Sequence, residues 1–194
     1  FPFHIRIPSW CSKPEIRLNN EKFLTPSPGT VCIINREWYN GDEIKLILPM
    51  EIKFSRWVEN SIAVERGPLV YSLRIFEEWS SKNDGDRFGP YEEVRPLDPW
   101  NYGLLESAIE DPVNGFKIIK TNADIVRPWS VNNAPIEIRT YGKLIHDWTL
   151  YKEMPGPLPH SLPPDYLQDL AAEEITLIPY GCTKLRITEF PVVK

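Results

Sequence analysis

The N-terminal quarter of the chain alternates apolar and polar residues with a period of two. Residues 3–7 and 15–19 show this alternation, and residues 43–48 repeat it after the Asn40-Gly41-Asp42 turn signal. Short alternating runs that end at Pro, Gly or Asn are typical of antiparallel strands with one buried face. The pattern therefore predicts a meander of short strands that covers a core on one side.

Beyond residue 56, strand-like runs are separated by longer segments rich in breaker residues. The runs are residues 61–64, 69–75, 116–120, 135–144 and 174–180, and residues 183–190 are predicted to close a hairpin with the last of them. Residues 77–99 are polar and residues 154–165 are rich in proline, which is typical of long surface loops. The second part is therefore also predicted to consist of strands, with two long loops.

These patterns predict an all-β fold made of two β-sandwich, jelly-roll-like parts. Residues 1–56 form the first part and residues 57–194 form the second. The chain starts at Phe1 directly in a strand. The first sandwich is therefore expected to be truncated at its N-terminus, with an unpaired sheet edge, and the chain is expected to be a fragment of a longer protein.

The composition supports a globular β-protein and disfavours two classes of partner. Of the 194 residues, 42% are hydrophobic, and 20 prolines against 10 glycines favour rigid turns over long helices. A net charge of −5 without any Lys/Arg-rich stretch disfavours nucleic acid. No apolar run approaches the ~20 residues that span a bilayer, so no membrane partner is expected. The three cysteines lack CxxC spacing and are expected to be buried free thiols.

A charged Gly-Pro corner interrupts the strand pattern within residues 63–73. Gly67 can adopt backbone angles that other residues avoid, and Pro68 fixes the next one. The planar guanidinium of Arg66 can satisfy two acceptors, either a carboxylate or carbonyl groups across the corner. Arg66, Gly67 and Pro68 are therefore predicted to form a structural corner that joins the two parts.

Five ordered motifs resemble one protein family over essentially the whole chain. They are Ile-Arg-Ile-Pro-Ser-Trp at 5–10, Asn-Arg-Glu-Trp followed by Asn-Gly-Asp at 35–42, the corner at 63–73, Pro-Trp-Asn-Tyr-Gly-Leu at 99–104, and the run at 175–188. In this order they resemble the C-terminal β-domain region of glycoside hydrolase family 127 and related β-L-arabinofuranosidase-like proteins. Each motif alone is weak, whereas five in order are specific.

The resemblance implies a longer parent enzyme that acts on arabinofuranosides or related plant glycans. Its (α/α)6 barrel would carry a cysteine nucleophile, a zinc ion bound by further cysteines and a glutamate, and a second glutamate as general acid. Cys11, Cys32 and Cys182 do not match that zinc-thiolate set. No catalytic, cofactor-binding or metal-binding residue is therefore carried over to this chain, and its expected partner is the barrel of the same polypeptide.

The residues by themselves give no stronger case for catalysis. A glycosidase needs two carboxylates about 5–10 Å apart, but neighbours on a strand point to opposite faces. The adjacent pairs are Glu77-Glu78, Glu92-Glu93 and Glu173-Glu174. The wide spacing of His4, His146 and His160 does not indicate a metal-ligand set. No Gly-x-Ser-x-Gly pattern of a serine nucleophile is present. A calcium loop is not indicated either, because its spacing is not matched by Asn83, Asp84 and Asp86.

Aromatic residues suggest an alternative to the role of a supporting domain. Trp79, Tyr91, Trp100 and Tyr102 are predicted to contact either a sugar or the barrel, because flat rings stack on sugar faces and also anchor interfaces. Trp129 and Trp148 are expected to be core residues. The alternative to a supporting domain is therefore an autonomous carbohydrate-binding module that uses exposed aromatic rings. A self-sufficient hydrolase is a third possibility, which predicts activity from this chain alone.

Overall fold

The structure is a computed structural model that describes residues 1–83, 89–124, 126–160, 163 and 166–194. Strands make up 43% of it and its helices are few and short. The predicted all-β fold is therefore confirmed. No helix among the residues that the structure describes is long and apolar enough to cross a membrane.

The chain divides into two compact units. The first contains Phe1–Glu51 and Arg66–Pro68, and the second contains Ile52–Glu65 and Leu69–Lys194. The chain thus leaves the first unit after residue 51 and returns to it for three residues. The domain boundary after residue 56 stays a prediction, because a compact unit need not fold as an independent domain.

The first unit consists of two small sheets around one core. Its strands are β1 (Pro2–Arg6), β2 (Glu15–Leu18), β3 (Glu21–Leu24), β4 (Val31–Asn35) and β5 (Ile44–Ile47). β1 pairs with β4, and the order of the other sheet is β3-β2-β5. Ile5, Ile7, Ile16 and Ile34 form the buried core. They come from the alternating pattern, which places every second residue on the inner face.

The strands and helices of the second unit begin at residue 52. Its strands are β6 (Ile52–Arg56), β7 (Ile62–Arg66), β8 (Leu69–Leu73), β9 (Glu77–Lys82), β10 (Tyr91–Pro96), β11 (Tyr102–Leu105), β12 (Lys117–Lys120), β13 (Ile136–Leu144), β14 (Leu150–Tyr151), β15 (Met154–Pro155), β16 (Glu173–Pro179) and β17 (Val192–Val193). Two short helices, α1 (Glu106–Glu110) and α2 (Pro112–Gly115), follow β11. Single 3₁₀ turns lie at Val58–Asn60, Val131–Asn133 and Tyr180–Cys182.

One eight-stranded sheet organises the second unit. Its order is β17-β11-β13-β16-β8-β7-β6, and β12 also pairs with β13. β16 lies near the centre, where Leu177 is opposite both Ile138 and Leu73 in the register. This curled sheet covers a core that contains Tyr71, Leu104, Leu177 and Phe190, all fully buried. Buried apolar residues of β8, β11, β13 and β16 therefore share one core.

In its described residues, the segment 77–99 is not the long loop that its polar sequence predicts, and residues 84–88 of it lie outside the described part. β9 and β10 form an antiparallel hairpin in it, with Trp79 opposite Val94 and Glu78 opposite Arg95. Both faces of this hairpin carry polar residues, so the alternation that identifies a half-buried strand is missing. Within the other predicted loop, 154–165, Met154–Pro155 forms a short strand with Leu150–Tyr151, and residues 161, 162, 164 and 165 lie outside the described part.

Residues 183–190 do not form the predicted closing hairpin with β16. After the 3₁₀ turn at Tyr180–Cys182, the backbone N–H groups of Lys184 and Leu185 donate to the Glu77 carboxylate, at 2.6 and 3.4 Å. Farther along, the Leu73 N–H donates to the Ile187 carbonyl and Phe190 forms an isolated bridge with Ile62. A side-chain acceptor replaces the strand partner, which sequence alternation cannot reveal.

Candidate binding cleft

Two exposed tryptophans line a cleft in the second unit. Trp79 on β9 is 50% exposed and Trp129 is 60% exposed. They line a cavity of about 540 Å³ together with Phe76 and Leu97. Concave sites of this size that combine aromatic walls with a few polar groups are typical of small-ligand binding. This Trp79–Trp129 cleft is the candidate functional site.

Local contacts hold both rings in place. The Trp79 indole N–H donates to Oε2 of Glu77, two residues earlier on the same face of β9, at 3.2 Å. The Trp129 ring lies against the backbone of Gly181, where an added Cβ atom would be 3.3 Å from ring atom Cε3. A side chain at position 181 would therefore displace the Trp129 ring. The polar and charged residues that line the cleft are Glu77, Ser130, Asn132, Thr183 and Lys184.

The sequence pattern predicts Trp129 to be a core residue and does not identify it as part of a cleft. Its neighbours Pro128 and Ser130 are turn-forming residues, and a tryptophan between such residues lies in a loop more readily than in a strand. These flanking residues are the sequence feature that could have indicated an exposed Trp129. The expectation is confirmed for Trp148, which is 5% exposed and donates its indole N–H to the Gly156 carbonyl at 3.0 Å.

Glu77 connects the β9–β10 hairpin to the segment that follows β16. Its Oε1 atom accepts from the Thr183 hydroxyl at 3.1 Å and from the Lys184 N–H at 2.6 Å. Its Oε2 atom accepts from Trp79. One carboxylate therefore fixes two walls of the cleft at once, because Trp79 and residues 183–184 both line it.

The other three predicted aromatic residues do not join Trp79 in this cleft. Tyr91 on β10 is 48% exposed and lies opposite Lys82. Trp100 is partly buried and packs edge-to-face on Trp148 with ring centroids 5.1 Å apart, and it lines a different cleft. Tyr102 is only 8% exposed. A ring that is buried in the core cannot stack on a dissolved sugar, so the structure corrects the expected sugar contact for Tyr102, and the alternative contact with the barrel stays a prediction.

The Tyr102 hydroxyl has a strongly shifted ionisation. It donates to Oε2 of Glu173 at 2.9 Å. Burial, this hydrogen bond to Glu173, and the negative charges of Glu173 and Asp98 together raise the pKa of Tyr102 to about 12. The hydroxyl therefore stays protonated as a donor across the physiological range, which fits a structural role in joining β11 to β16.

The predicted corner is a tight connection between β7 and β8. Gly67 has φ +61°, as expected for glycine at the first position of a two-residue hairpin loop. A Cβ atom on Gly67 would collide with Sδ and Cγ of Met50, the latter at 2.7 Å. Nη1 of Arg66 lies 4.0 Å from the Met50 sulfur. Among the described residues, Arg66 Nε has no hydrogen-bond partner. The carboxylate or carbonyl partner considered for the Arg66 guanidinium stays a prediction.

Five of the six glutamates in the adjacent pairs contact separate protein groups. Besides Glu77 and Glu173, whose contacts are given above, Glu92 accepts from Ser81 at 2.6 Å. Glu93 pairs with Arg95 at 2.8 Å, and Glu174 lies 3.6 Å from Arg139. The hydrogen bond from Arg95 is the main reason that the pKa of Glu93 is lowered. These contacts are structural in kind.

The zinc chemistry implied by the resemblance does not fit the residues present. The cysteines are free thiols, with Cys11 and Cys182 buried and Cys32 partly buried. Cys182 donates to the Pro128 carbonyl at 3.6 Å, and burial raises the pKa of its thiol. No group of three metal-ligating side chains occurs in the part of the chain that the structure describes. Asp84 and Asp86, weighed as calcium ligands, lie outside that part.

The N-terminal part of the chain matches a known family model. Residues 1–50 match the model described as "Beta-L-arabinofuranosidase, GH127 middle domain". A comparison with curated protein sequences gave no match.

Solved structures of glycosidases share the fold of the whole chain. One is a glycoside hydrolase, with a TM-score of 0.57 and 21% sequence identity. The alignment covers 100% of this chain and 28% of the glycoside hydrolase. A GH127 β-L-arabinofuranosidase from Geobacillus stearothermophilus T6 has a TM-score of 0.57 and 20% identity, covering 99% and 26%. A further GH127 β-arabinofuranosidase has a TM-score of 0.56 and 17% identity, covering 99% and 28%.

This chain therefore spans about a quarter of the length of the solved structures that it matches. Similarity at this level of identity establishes a shared fold, and the family model adds sequence evidence over residues 1–50. The resemblance to the β-domain region of GH127 β-L-arabinofuranosidase-like proteins is confirmed, in sequence over residues 1–50 and in fold over the whole chain.

Proposed function

We propose that this chain is the non-catalytic β-region of a GH127-like glycosidase and that it packs against and supports an (α/α)6 catalytic barrel of the same polypeptide. The observation that carries the proposal is the combined match: residues 1–50 match a GH127 middle domain, while the whole chain aligns with about a quarter of each glycosidase. The whole enzyme hydrolyses arabinofuranosides or related plant glycans.

The side-chain contacts support a structural role. Three carboxylates from the adjacent glutamate pairs, Glu77, Glu93 and Glu173, accept hydrogen bonds from groups of the protein itself. A glycosidase carboxylate must instead face the scissile bond, either as acid or as nucleophile. In this proposal, the catalytic groups belong to the barrel, and the β-region stabilises the barrel.

The experiment compares the natural polypeptide that contains this sequence with the 194-residue chain alone. The polypeptide is expected to release arabinose from an aryl β-L-arabinofuranoside, and the chain alone is expected to give no turnover. A version of the polypeptide without these residues should unfold at a lower temperature, and adding the chain in trans should raise that temperature again. Turnover by the chain alone, or an unchanged unfolding temperature after the deletion, contradicts the proposal.

Carbohydrate binding by this chain is the second candidate function, and the Trp79–Trp129 cleft favours it. Two half-exposed indole rings in one concavity offer apolar faces to a sugar. The chain is titrated calorimetrically with neutral arabino-oligosaccharides. Trp79→Ala and Trp129→Ala should each weaken binding about threefold to tenfold.

Trp57→Ala is the matched control for that titration. Trp57 is also in the second unit and is 58% exposed, yet it is not among the residues that line the cleft. Its removal should leave the affinity unchanged. A flat titration at millimolar sugar, or an equal loss in all three variants, would reject the binding-module function.

A further inference from the structure

A second cleft in the same unit carries charged residues in addition to aromatic ones. Its volume is about 550 Å³. The residues that matter for its chemistry are Arg95, Trp100, Glu153, Tyr180, Lys184 and Arg186. They come from β10, from the segment before β11, from the β14–β15 turn and from the segment after β16. We call it the Arg186 cleft.

One of its three cations is neutralised within the protein. Arg95 donates to Glu93 at 2.8 Å and to Glu153 at 3.1 Å. Hydrogen bonding to Glu93 is the largest of the effects that raise the pKa of Arg95. Arg95 therefore holds two carboxylates and has little capacity left for a ligand.

Arg186 is held in position by uncharged groups. Its Nε atom donates to the backbone carbonyls of Tyr180 at 3.2 Å and Thr183 at 3.0 Å. Its guanidinium carbon lies 4.3 Å from the centre of the Tyr180 ring, within cation–π distance. These contacts fix the guanidinium group but leave its charge without a counterion. Within the described ranges, no carboxylate lies within 4.0 Å of it.

The cleft therefore carries a net positive charge. Lys184 also lacks a carboxylate partner among the residues that the structure describes, so three cations in the lining face two carboxylates. The chain as a whole has a net charge of −5. A positive concavity in a negative protein attracts anions, and a guanidinium whose orientation is already fixed binds a carboxylate with less entropic cost.

Trp100 adds a rigid apolar wall. Its ring packs edge-to-face on Trp148 at 5.1 Å, and the buried Trp148 is held in turn by the Gly156 carbonyl. The position of Trp100 is therefore set before any ligand arrives. An apolar wall beside a cationic group fits a molecule that has both a ring with C–H faces and an acidic substituent.

We propose that the Arg186 cleft binds a saccharide that carries a carboxylate group. Arg186 and Lys184 pair with the carboxylate, and the sugar ring lies against Trp100. The volume suits a short oligosaccharide. Lys184 also lines the Trp79–Trp129 cleft, for which a neutral sugar is considered, whereas Arg186 and Trp100 line only the Arg186 cleft. Binding at the Arg186 cleft does not require that the chain belong to a glycosidase.

Calorimetric titration of the 194-residue chain with digalacturonic acid and with neutral digalactose tests the proposal. The acidic sugar should bind at least tenfold more tightly, and the difference should shrink as salt is added, because the cations are exposed. Arg186→Ala should weaken binding of the acidic sugar about tenfold or more, and Arg186→Lys should weaken it less. Equal affinity for the two sugars, or no binding at millimolar concentration, overturns the proposal.

Arg36→Ala is the matched control variant. Arg36 in the first unit also lies over an aromatic ring, 5.2 Å from the centre of the Trp38 ring, so its loss removes the same kind of contact elsewhere. Binding should be unchanged in this variant. If Arg186→Ala fails to fold, Lys184→Ala replaces it, because the Lys184 side chain is exposed and only its backbone holds Glu77. A Lys184→Ala chain that binds the acidic sugar as well as the unaltered chain contradicts the proposal.

Discussion

Gly67 occupies the most constrained backbone position of the corner. Its positive φ and the closeness of Met50 are two separate reasons for glycine at this position. Gly41 shares the positive φ, at +95°, yet a Cβ atom there would meet nothing within 4 Å. A comparison of substitutions at Gly67 and Gly41 therefore distinguishes the effect of backbone strain from the effect of a side-chain collision.

We expect Gly67→Ala to lower the free energy of unfolding by about 1–3 kcal/mol. Gly41→Ala should cost less, because it carries only the backbone strain. Met50→Ala in the Gly67→Ala background should recover part of the difference by removing the collision. Urea unfolding of the unaltered chain and of these three variants measures the free energies of unfolding. Equal losses in the two glycine variants would mean that Met50 moves aside freely.

The raised pKa of Tyr102 predicts a pH dependence at the alkaline end. A tyrosine with a folded pKa of about 12 keeps its proton while the unfolded chain, with a pKa near 10, loses it. The folded state then binds more protons, so this contribution to stability is fully present below pH ~10 and is lost between about pH 10 and 12. Its size is on the order of 2 kcal/mol.

Ultraviolet titration of the folded chain measures this effect. One of the eight tyrosines should ionise near pH 12, and Tyr102→Phe should remove that step. Tyr39→Phe is the control, because Tyr39 also donates to a glutamate, Glu37, but is 63% exposed. A last alkaline step that persists in Tyr102→Phe would contradict the assignment.

At the scale of elements, the β9–β10 hairpin depends on one carboxylate for its attachment. Glu77 accepts from the Lys184 and Leu185 N–H groups and from the Thr183 hydroxyl. Removing an acceptor from such donors costs about 1–3 kcal/mol when they stay unpaired. The neighbouring Glu78 points to the opposite face of β9.

We expect Glu77→Ala to destabilise the segment 183–185 by about 1–3 kcal/mol, measured as faster hydrogen exchange of the Lys184 amide. Glu77→Gln should have a smaller effect, since it keeps one acceptor oxygen. Glu78→Ala is the matched control and should leave that amide unchanged. Protection of the Lys184 amide that survives Glu77→Ala would show that other contacts hold the segment.

At the scale of the whole molecule, the core of the eight-stranded sheet contains most of the buried apolar residues that the structure describes in the second unit. Leu177 is fully buried on β16, opposite both Ile138 and Leu73. Leu177→Ala should lower the free energy of unfolding by about 2–5 kcal/mol. Leu97→Ala, at a side chain that is 62% exposed, should change it by less than about 1 kcal/mol. Urea unfolding compares them, and similar losses would place Leu177 outside the cooperative core.

Alternation and turn chemistry were enough to predict the all-β fold and several of its strands. Residues 3–7 and 135–144 alternate because one face is buried, and β1 and β13 lie there. The two-residue turn at Asn19 and Asn20, both with positive φ, follows from side chains that tolerate that conformation. These features depend on neighbours in sequence, so the sequence alone determined them.

Only the tertiary structure decided where the aromatic and charged side chains meet. Trp79 and Trp129 are 50 positions apart and line one cleft, while Tyr102, equally prominent in the sequence, is buried on Glu173. Glu77 replaces a strand partner for residues 184–185, more than a hundred positions away. Such contacts depend on strand order in the sheet, and a periodic pattern records which face a residue takes but not which distant residue lies opposite it.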